Sequence, residues 1–208
     1  SDTYIFSELL AHAEGKNWDE KLLKTLDKVA GAYALIVGIG DTLYAARDPY
    51  GIRPLHIGVL KDKRILASET HSFDKVGAKI IREIKPGEVI KISNNGLDVI
   101  RRGTKDIKHF CDFEWAYFSR PDSLIPPNGE GDMPSKWLSV NHFRERCGKI
   151  LAEESPVKHA TFVVGIPDSG LSVANGYANE LGLRYSQMII RDHFDPEGDQ
   201  RLFMRDDQ

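Results

Sequence analysis

The sequence has 208 residues, 41% of them hydrophobic, and a formal charge of -3 at neutral pH. That is enough apolar residue for a packed core, and the positive charge is too dispersed for a nucleic-acid face. No apolar run approaches the roughly 20 residues of a membrane span, the first residues do not read as a signal peptide, and the two cysteines, Cys111 and Cys147, suit a reducing compartment, so the cytoplasm is the expected location.

Ser1-Asp2-Thr3 reads as an N-cap for a helix from Tyr4 to Ala13, because a hydroxyl or carboxylate there accepts the free amides of a first turn. Trp18 to Val29 carries Leu22, Leu23, Leu26 and Val29 at helical spacing, a stripe that predicts packing on a sheet. From Gly31 the pattern changes to short apolar runs over 32–38, 42–47, 55–60, 64–68 and 87–92. They are parted by Gly, Asp, Pro or Lys turns, with a short helix near 72–76. Helices followed by closely spaced strands predict an α+β layer packing.

Between two of these strands lies Ala46-Arg47-Asp48-Pro49-Tyr50-Gly51-Ile52-Arg53-Pro54-Leu55. Pro49 presets φ and Gly51 permits a positive φ, so Asp48 to Gly51 reads as a tight turn joining the strands over 42–47 and 55–60. Its charges, with Ala67-Ser68-Glu69-Thr70 soon after, fit either a solvated turn or a partly buried ion network across neighbouring strands. In the second reading Arg53 pairs with Glu69 or Asp48.

Asn94-Asn95-Gly96 is a hairpin signal, and 98–103 continues as an edge strand. Phe110 to Phe118 reads as an extended, aromatic-rich segment that packs as core or interface rather than as a platform for bases. Cys111 within it reads as a small buried hydrophobe, and Cys147 falls on a helix over 138–154. Residues 124–134 are rich in turn formers and predict a surface loop. Ala160 to Val164 is apolar without alternation, as expected for a strand buried on both faces of a parallel sheet. It runs into Gly165-Ile166-Pro167-Asp168-Ser169-Gly170, a helix over 173–181 ending at Gly182, and a strand over 185–190. Strand, glycine loop and helix offer free amides and a positive helix end to an anion, although many βα turns need two glycines for steric reasons alone.

The ARDPYGIRPL turn, Ala67 to Asp74 (ASETHSFD) and Pro86-Gly87-Glu88 together resemble the second half of a class II glutaminase domain of the N-terminal-nucleophile type, whose turn asparagine synthetases share. Phe113 to Ser123 (FEWAYFSRPDS), GIPDSG at 165–170 and Gly176-Tyr177-Ala178 are similar, in kind and order, to motifs of the glutamine phosphoribosylpyrophosphate amidotransferases. The resemblance implies part of an αββα glutaminase sandwich over 1–109 and the start of an α/β type I phosphoribosyltransferase domain over 110–208. It implies an enzyme that uses glutamine-derived ammonia to convert phosphoribosyl pyrophosphate to phosphoribosylamine in de novo purine synthesis. Such an enzyme would be homo-oligomeric, with no nucleic-acid or membrane partner.

Residue by residue, the resemblance implies that Asp2 binds the α-amino group of glutamine, with Tyr4 standing where the family carries an acidic residue. It implies that Asp168, Ser169 and Gly170 hold the pyrophosphate together with Mg2+. It offers Cys111 as a ligand to the [4Fe-4S] cluster that some members carry, with the other ligands far towards the C-terminus. Residues 191–208 take the place of the loop that closes over the substrate, but are unusually acidic. The family's nucleophilic cysteine and its ribose-phosphate loop are not among these 208 residues, so a central piece of the enzyme, without glutaminase activity alone, is expected. Two rivals follow: a homologue that has lost catalysis and serves as a binding or regulatory module, and an asparagine-synthetase-like amidotransferase with an ATP site. GIPDSG and FSRPDS argue against the second.

Overall fold

A computed structural model describes residues 2–103, 109–126 and 136–190. The readings made for Ser1, 104–108, 127–135 and 191–208 lie outside the described residues. The chain divides into two compact units, Ser1–Val140 and Asn141–Gln208.

The first unit opens with helices α1, Asp2–Ala11, and α2, Trp18–Leu26. Asn17 caps α2, its side chain accepting the Glu20 amide at 2.9 Å. Strands β1, Ala34–Ile39, and β2, Thr42–Arg47, follow, then β3, His56–Leu60, and β4, Lys63–Ala67. Helix α3, His71–Val76, leads to β5, Lys79–Glu83, β6, Val89–Ser93, and β7, Gly96–Arg101. The strands form two antiparallel sheets, one in the order β1-β2-β6-β7 and the other β4-β3-β5.

Alternation along the central strands shows how the layers stack. Tyr44, Ala46 and Val89 join Leu10, Leu22 and Leu26 of the helices in one core, whereas Ala45 and Ile90 join Leu55, Ile57 and Ile84 in a second core between the sheets. Successive side chains of a strand point to opposite faces, so β2 and β6 serve both cores. On the outer face of the second sheet lies α3, whose fully buried Phe73 sits so close to Gly58 that a Cβ there would be 2.6 Å from its ring. Helices, sheet, sheet and helix therefore form four layers, as expected.

Strand β5 and the segment after Phe110 differ in kind from the sequence reading. Strand β5 was missed, because Arg82 and Glu83 interrupt its apolar pattern; both charges are paired within the fold. The segment after Phe110 is helical, with a π-helical turn over Glu114–Phe118 in which the Ser119 amide reaches back to Glu114 O. Phe113, Tyr117 and Phe118 are exposed on it while Glu114 is buried. Aromatic content alone favours a strand, which is why the sequence pattern misled here.

A short antiparallel pair, β8, Leu124–Ile125, and β9, Leu138–Ser139, closes the first unit. The second contains α4, Val140–Glu154, β10, Phe162–Val163, α5, Gly170–Leu181, and β11, Arg184–Tyr185, with β10 parallel to β11. Phe162 is 45% exposed, so β10 is not buried on both faces as its apolar run implied. Among the described residues it has one strand neighbour, and α5 packs on the pair. Helices α4 and α5 cross at two glycines: a Cβ on Gly148 would lie 1.9 Å from Val173 O, and one on Gly176 1.9 Å from Glu145 O. Among the described residues no helix is long and apolar enough to cross a membrane.

Candidate functional site

The Asp48 turn joins the two sheets, since β2 belongs to one and β3 to the other. It is therefore not a connection between neighbouring strands. Asp48 is fully buried and its carboxylate accepts the amides of Tyr50, Ile52 and Arg53 at 3.0–3.1 Å. Its carbonyl accepts from Gly51 and Gly87. Gly51 has φ +66, and a Cβ on it would stand 2.7 Å from the Pro86 ring, so both the conformation and the close approach demand glycine.

Arg47, fully buried, is the hub of the charge network. Its guanidinium donates to Arg53 O at 2.7 Å, Gly51 O at 2.8 Å and Ile84 O at 2.6 Å, and pairs with Glu83 at 2.9 Å. This is the planar-fork chemistry that lysine cannot reproduce. Glu88 of the PGE motif, also buried, takes a bidentate pair from Arg82 at 2.7 Å and the Lys85 amide. The expected partners of Arg53 were wrong. Its side chain is 41% exposed and pairs with Glu114 at 3.0 Å, with its guanidinium carbon 5.2 Å from the Phe118 ring centre. Asp48 is already occupied by backbone amides, and Glu69 is engaged elsewhere.

Glu69 and Thr70 hold the FSRPDS segment. The Glu69 carboxylate accepts the Arg120 amide at 2.9 Å and the Ser123 hydroxyl at 2.7 Å, while the Thr70 hydroxyl accepts the Leu124 amide. The ASET and FSRPDS motifs, some 50 residues apart, thus form one clasp. Sequence reading had singled out both without joining them, because no spacing rule connects residues that meet only through the fold.

The arrangement leaves a cleft of about 380 Å3 on the first unit. Asp2, Arg53, Ser68, Glu69, Glu114 and Phe118 line it, with the start of β1 at its side. Asp2 lies in the first turn of α1 rather than before it, is exposed, and accepts the Thr3 amide at 3.0 Å. Glu114 is committed to Arg53 and to the Ser119 hydroxyl at 3.0 Å, and Glu69 to the clasp. Asp2 is thus the carboxylate of this cleft open to a cationic group, such as the ammonium of an amino acid.

Beneath the cleft, His56 is 2% exposed, and burial pushes its pKa down to about 4; the Glu83 carboxylate opposes the shift and the Arg47 guanidinium adds to it. The unfolded chain takes up a proton near pH 6.5 that the folded one refuses until about pH 4. Stability should therefore fall by about 3 kcal/mol as pH drops through that window, and level off below it. Denaturation midpoints of the wild type and of His56→Gln across pH 7 to 4 check this. A variant curve as steep as the wild-type curve would assign the loss to other groups.

In the second unit the GIPDSG loop is exposed at Ile166 and Asp168 and buried at Gly165. The Gly170 and Leu171 amides turn back to Ile166 O and Asp168 O at 3.1 and 3.3 Å, and Ser169 precedes α5 without a side-chain cap bond. The Pro167–Asp168 peptide is cis. Cys111 is half-buried, its amide bonded to Ile52 O at 3.2 Å, and among the described residues no three His, Cys, Asp or Glu side chains gather as a metal site. A cluster on Cys111 would thus need ligands from elsewhere. Burial pushes the Cys147 thiol up, which does not favour a nucleophile there.

Residues 1–75 match the model of a glutamine amidotransferase domain. The amidophosphoribosyltransferase of Synechocystis sp. is 39% identical over 197 residues, covering 90% of this chain and 38% of that protein. The chain is homologous to the amidophosphoribosyltransferases. The Bacillus subtilis enzyme of that name is 36% identical over 194 residues, covering 93% of the chain. The solved glutamine phosphoribosylpyrophosphate amidotransferase from B. subtilis, complexed with ADP and GMP, superposes with a TM-score of 0.83 at 35% identity, over 97% of this chain and 42% of that one. The homology runs through both units, and the chain spans 38% of the length of these curated relatives.

Proposed function

We propose that this chain is part of a cytoplasmic amidophosphoribosyltransferase that releases ammonia from glutamine and uses it to form phosphoribosylamine from phosphoribosyl pyrophosphate in purine synthesis. By motif, residues 1–109 belong to a glutaminase domain of the N-terminal-nucleophile type and 110–208 to the start of a phosphoribosyltransferase domain. The observation that carries the reading is the cleft of the first unit, where Asp2 offers an open carboxylate to the α-ammonium of glutamine. The asparagine-synthetase-like alternative is not favoured, since the homology to amidophosphoribosyltransferases extends past GIPDSG.

In this reading neither Cys111 nor Cys147 is the attacking thiol, which belongs to the rest of the enzyme. Asp2 orients the substrate by its amino group, converting an encounter into a positioned reactant. In the whole enzyme, Asp2→Asn is expected to raise the KM for glutamine by about ten- to a hundredfold, the loss of one charge-assisted hydrogen bond, while the reaction driven by free ammonia is unchanged. Equal losses with both nitrogen sources would remove Asp2 from the glutamine site.

The GIPDSG loop is the pyrophosphate site of the same reading, with Asp168, Ser169 and Gly170 at the N-terminal end of α5. Mg2+ would arrive with the polyphosphate, because this ion takes few protein ligands and keeps phosphate oxygens and water. Titrating phosphoribosyl pyrophosphate and Mg2+ into the labelled chain is expected to give weak binding, with small amide shifts centred on Ile166 to Leu171, since a partial site meets the association cost alone. Tight binding centred elsewhere would overturn the assignment. A [4Fe-4S] cluster in the whole enzyme would take Cys111 as one of its thiolates. Homo-oligomerisation belongs to the same proposal.

A further inference from the structure

A small cavity of about 10 Å3 lies behind the cleft, separated from it by Pro54, Ser68 and Glu69, which line both. Its far wall includes His56, Ser119 and Ser123, all nearly fully buried. The volume is that of a single water-sized sphere, and a cavity this small is occupied only when polar groups line it.

The chemistry of the wall specifies what fits. Nδ1 of His56 stands 3.1 Å from Ser68 O, and a carbonyl oxygen only accepts, so this nitrogen carries the proton. In the neutral ring Nε2 is then an acceptor, and it is buried with no hydrogen-bond partner among the described residues. Ser123 donates its hydroxyl proton to Glu69, so its oxygen offers lone pairs as well. An acceptor nitrogen and an acceptor oxygen call for a small molecule with two protons to give. Leaving Nε2 unsatisfied would cost the full desolvation of that group.

We propose that this cavity binds one water molecule, which donates one hydrogen to Nε2 of His56 and the other to the hydroxyl oxygen of Ser123. The water extends the clasp made by Glu69 and Thr70, tying β3 to the FSRPDS segment. It also accounts for a neutral histidine within the core, where an aliphatic residue would otherwise pack.

Three measurements on the intact chain decide the matter. A crystal structure at a resolution that shows ordered water should place one within hydrogen-bond distance of Nε2, and 15N histidine spectra at neutral pH should show the Nδ1–H tautomer with Nε2 moved upfield as a hydrogen-bonded acceptor. Deuteron relaxation dispersion should then lose one long-lived water in His56→Leu. If that variant does not fold, the wild-type nitrogen shifts decide alone. A proton on Nε2, a shift typical of a free acceptor, or a nuclear Overhauser contact showing the indole N–H of Trp137 bonded directly to Nε2 would each overturn the proposal; that ring lies 5.3 Å away, centre to centre.

Discussion

Replacing Arg47 by alanine should lower the free energy of unfolding by about 4 kcal/mol, measured by denaturant titration of the chain. The substitution removes one guanidinium and leaves the Glu83 carboxylate, 7% exposed, without its cation, together with the buried Gly51 and Ile84 carbonyls and the part-buried Arg53 carbonyl without that donor. The cost comes from those stranded groups more than from the lost attraction. Two comparisons separate the causes. Arg64→Ala, on the exposed end of β4, should change stability by less than about 0.5 kcal/mol. Arg47→Met combined with Glu83→Leu should recover the part of the loss that comes from Glu83, because a pair of apolar residues leaves no unpaired charge, while the three carbonyls stay without their donor. Arg47→Lys should not, since an ammonium cannot span the Gly51, Arg53 and Ile84 carbonyls at once. If Arg47→Ala proved no worse than Arg64→Ala, the turn would be held by Asp48 and the backbone alone.

Gly148→Ala and Gly176→Ala are each expected to destabilise the second unit by about 3 kcal/mol, at the upper end of overpacking costs. The added methyl meets backbone rather than a movable side chain: 1.9 Å to Val173 O in one case and to Glu145 O in the other. Relief requires α4 and α5 to separate, which also loosens the Ser172 to Asn141 and Asn175 to Glu145 hydrogen bonds at 2.7 and 3.0 Å. Gly170→Ala, on the same helix but with only the Ile166 Cβ at 3.6 Å, should cost nothing or stabilise slightly through helix propensity. The double variant Gly148→Ala/Gly176→Ala should cost less than the sum of the two, because helices already moved apart by one methyl have room for the second. Strict additivity would show that the two contacts yield independently.

Local and short-range physics was legible in the sequence. The Leu22, Leu23, Leu26 stripe, the short apolar strands between turn formers, the Asp48 to Gly51 turn and the glycine loop before α5 each follow from a rule spanning a few residues, and the ordered motifs were enough to point to the family. The tertiary structure decided which charges carry the fold. Arg47 and Arg53 are equivalent by composition, six residues apart in one motif, yet the first is sealed between the sheets and the second reaches the cleft. That difference arises because the turn crosses from one sheet to the other, and a crossover is invisible to periodicity. The strand over Lys79–Glu83 was hidden for a related reason: its charges are neutralised by residues that arrive through the fold. The clasp between Glu69 and Ser123, and the glycine contact between α4 and α5, likewise depend on backbones brought together from distant positions. In the sequence they show only as motifs without a stated cause.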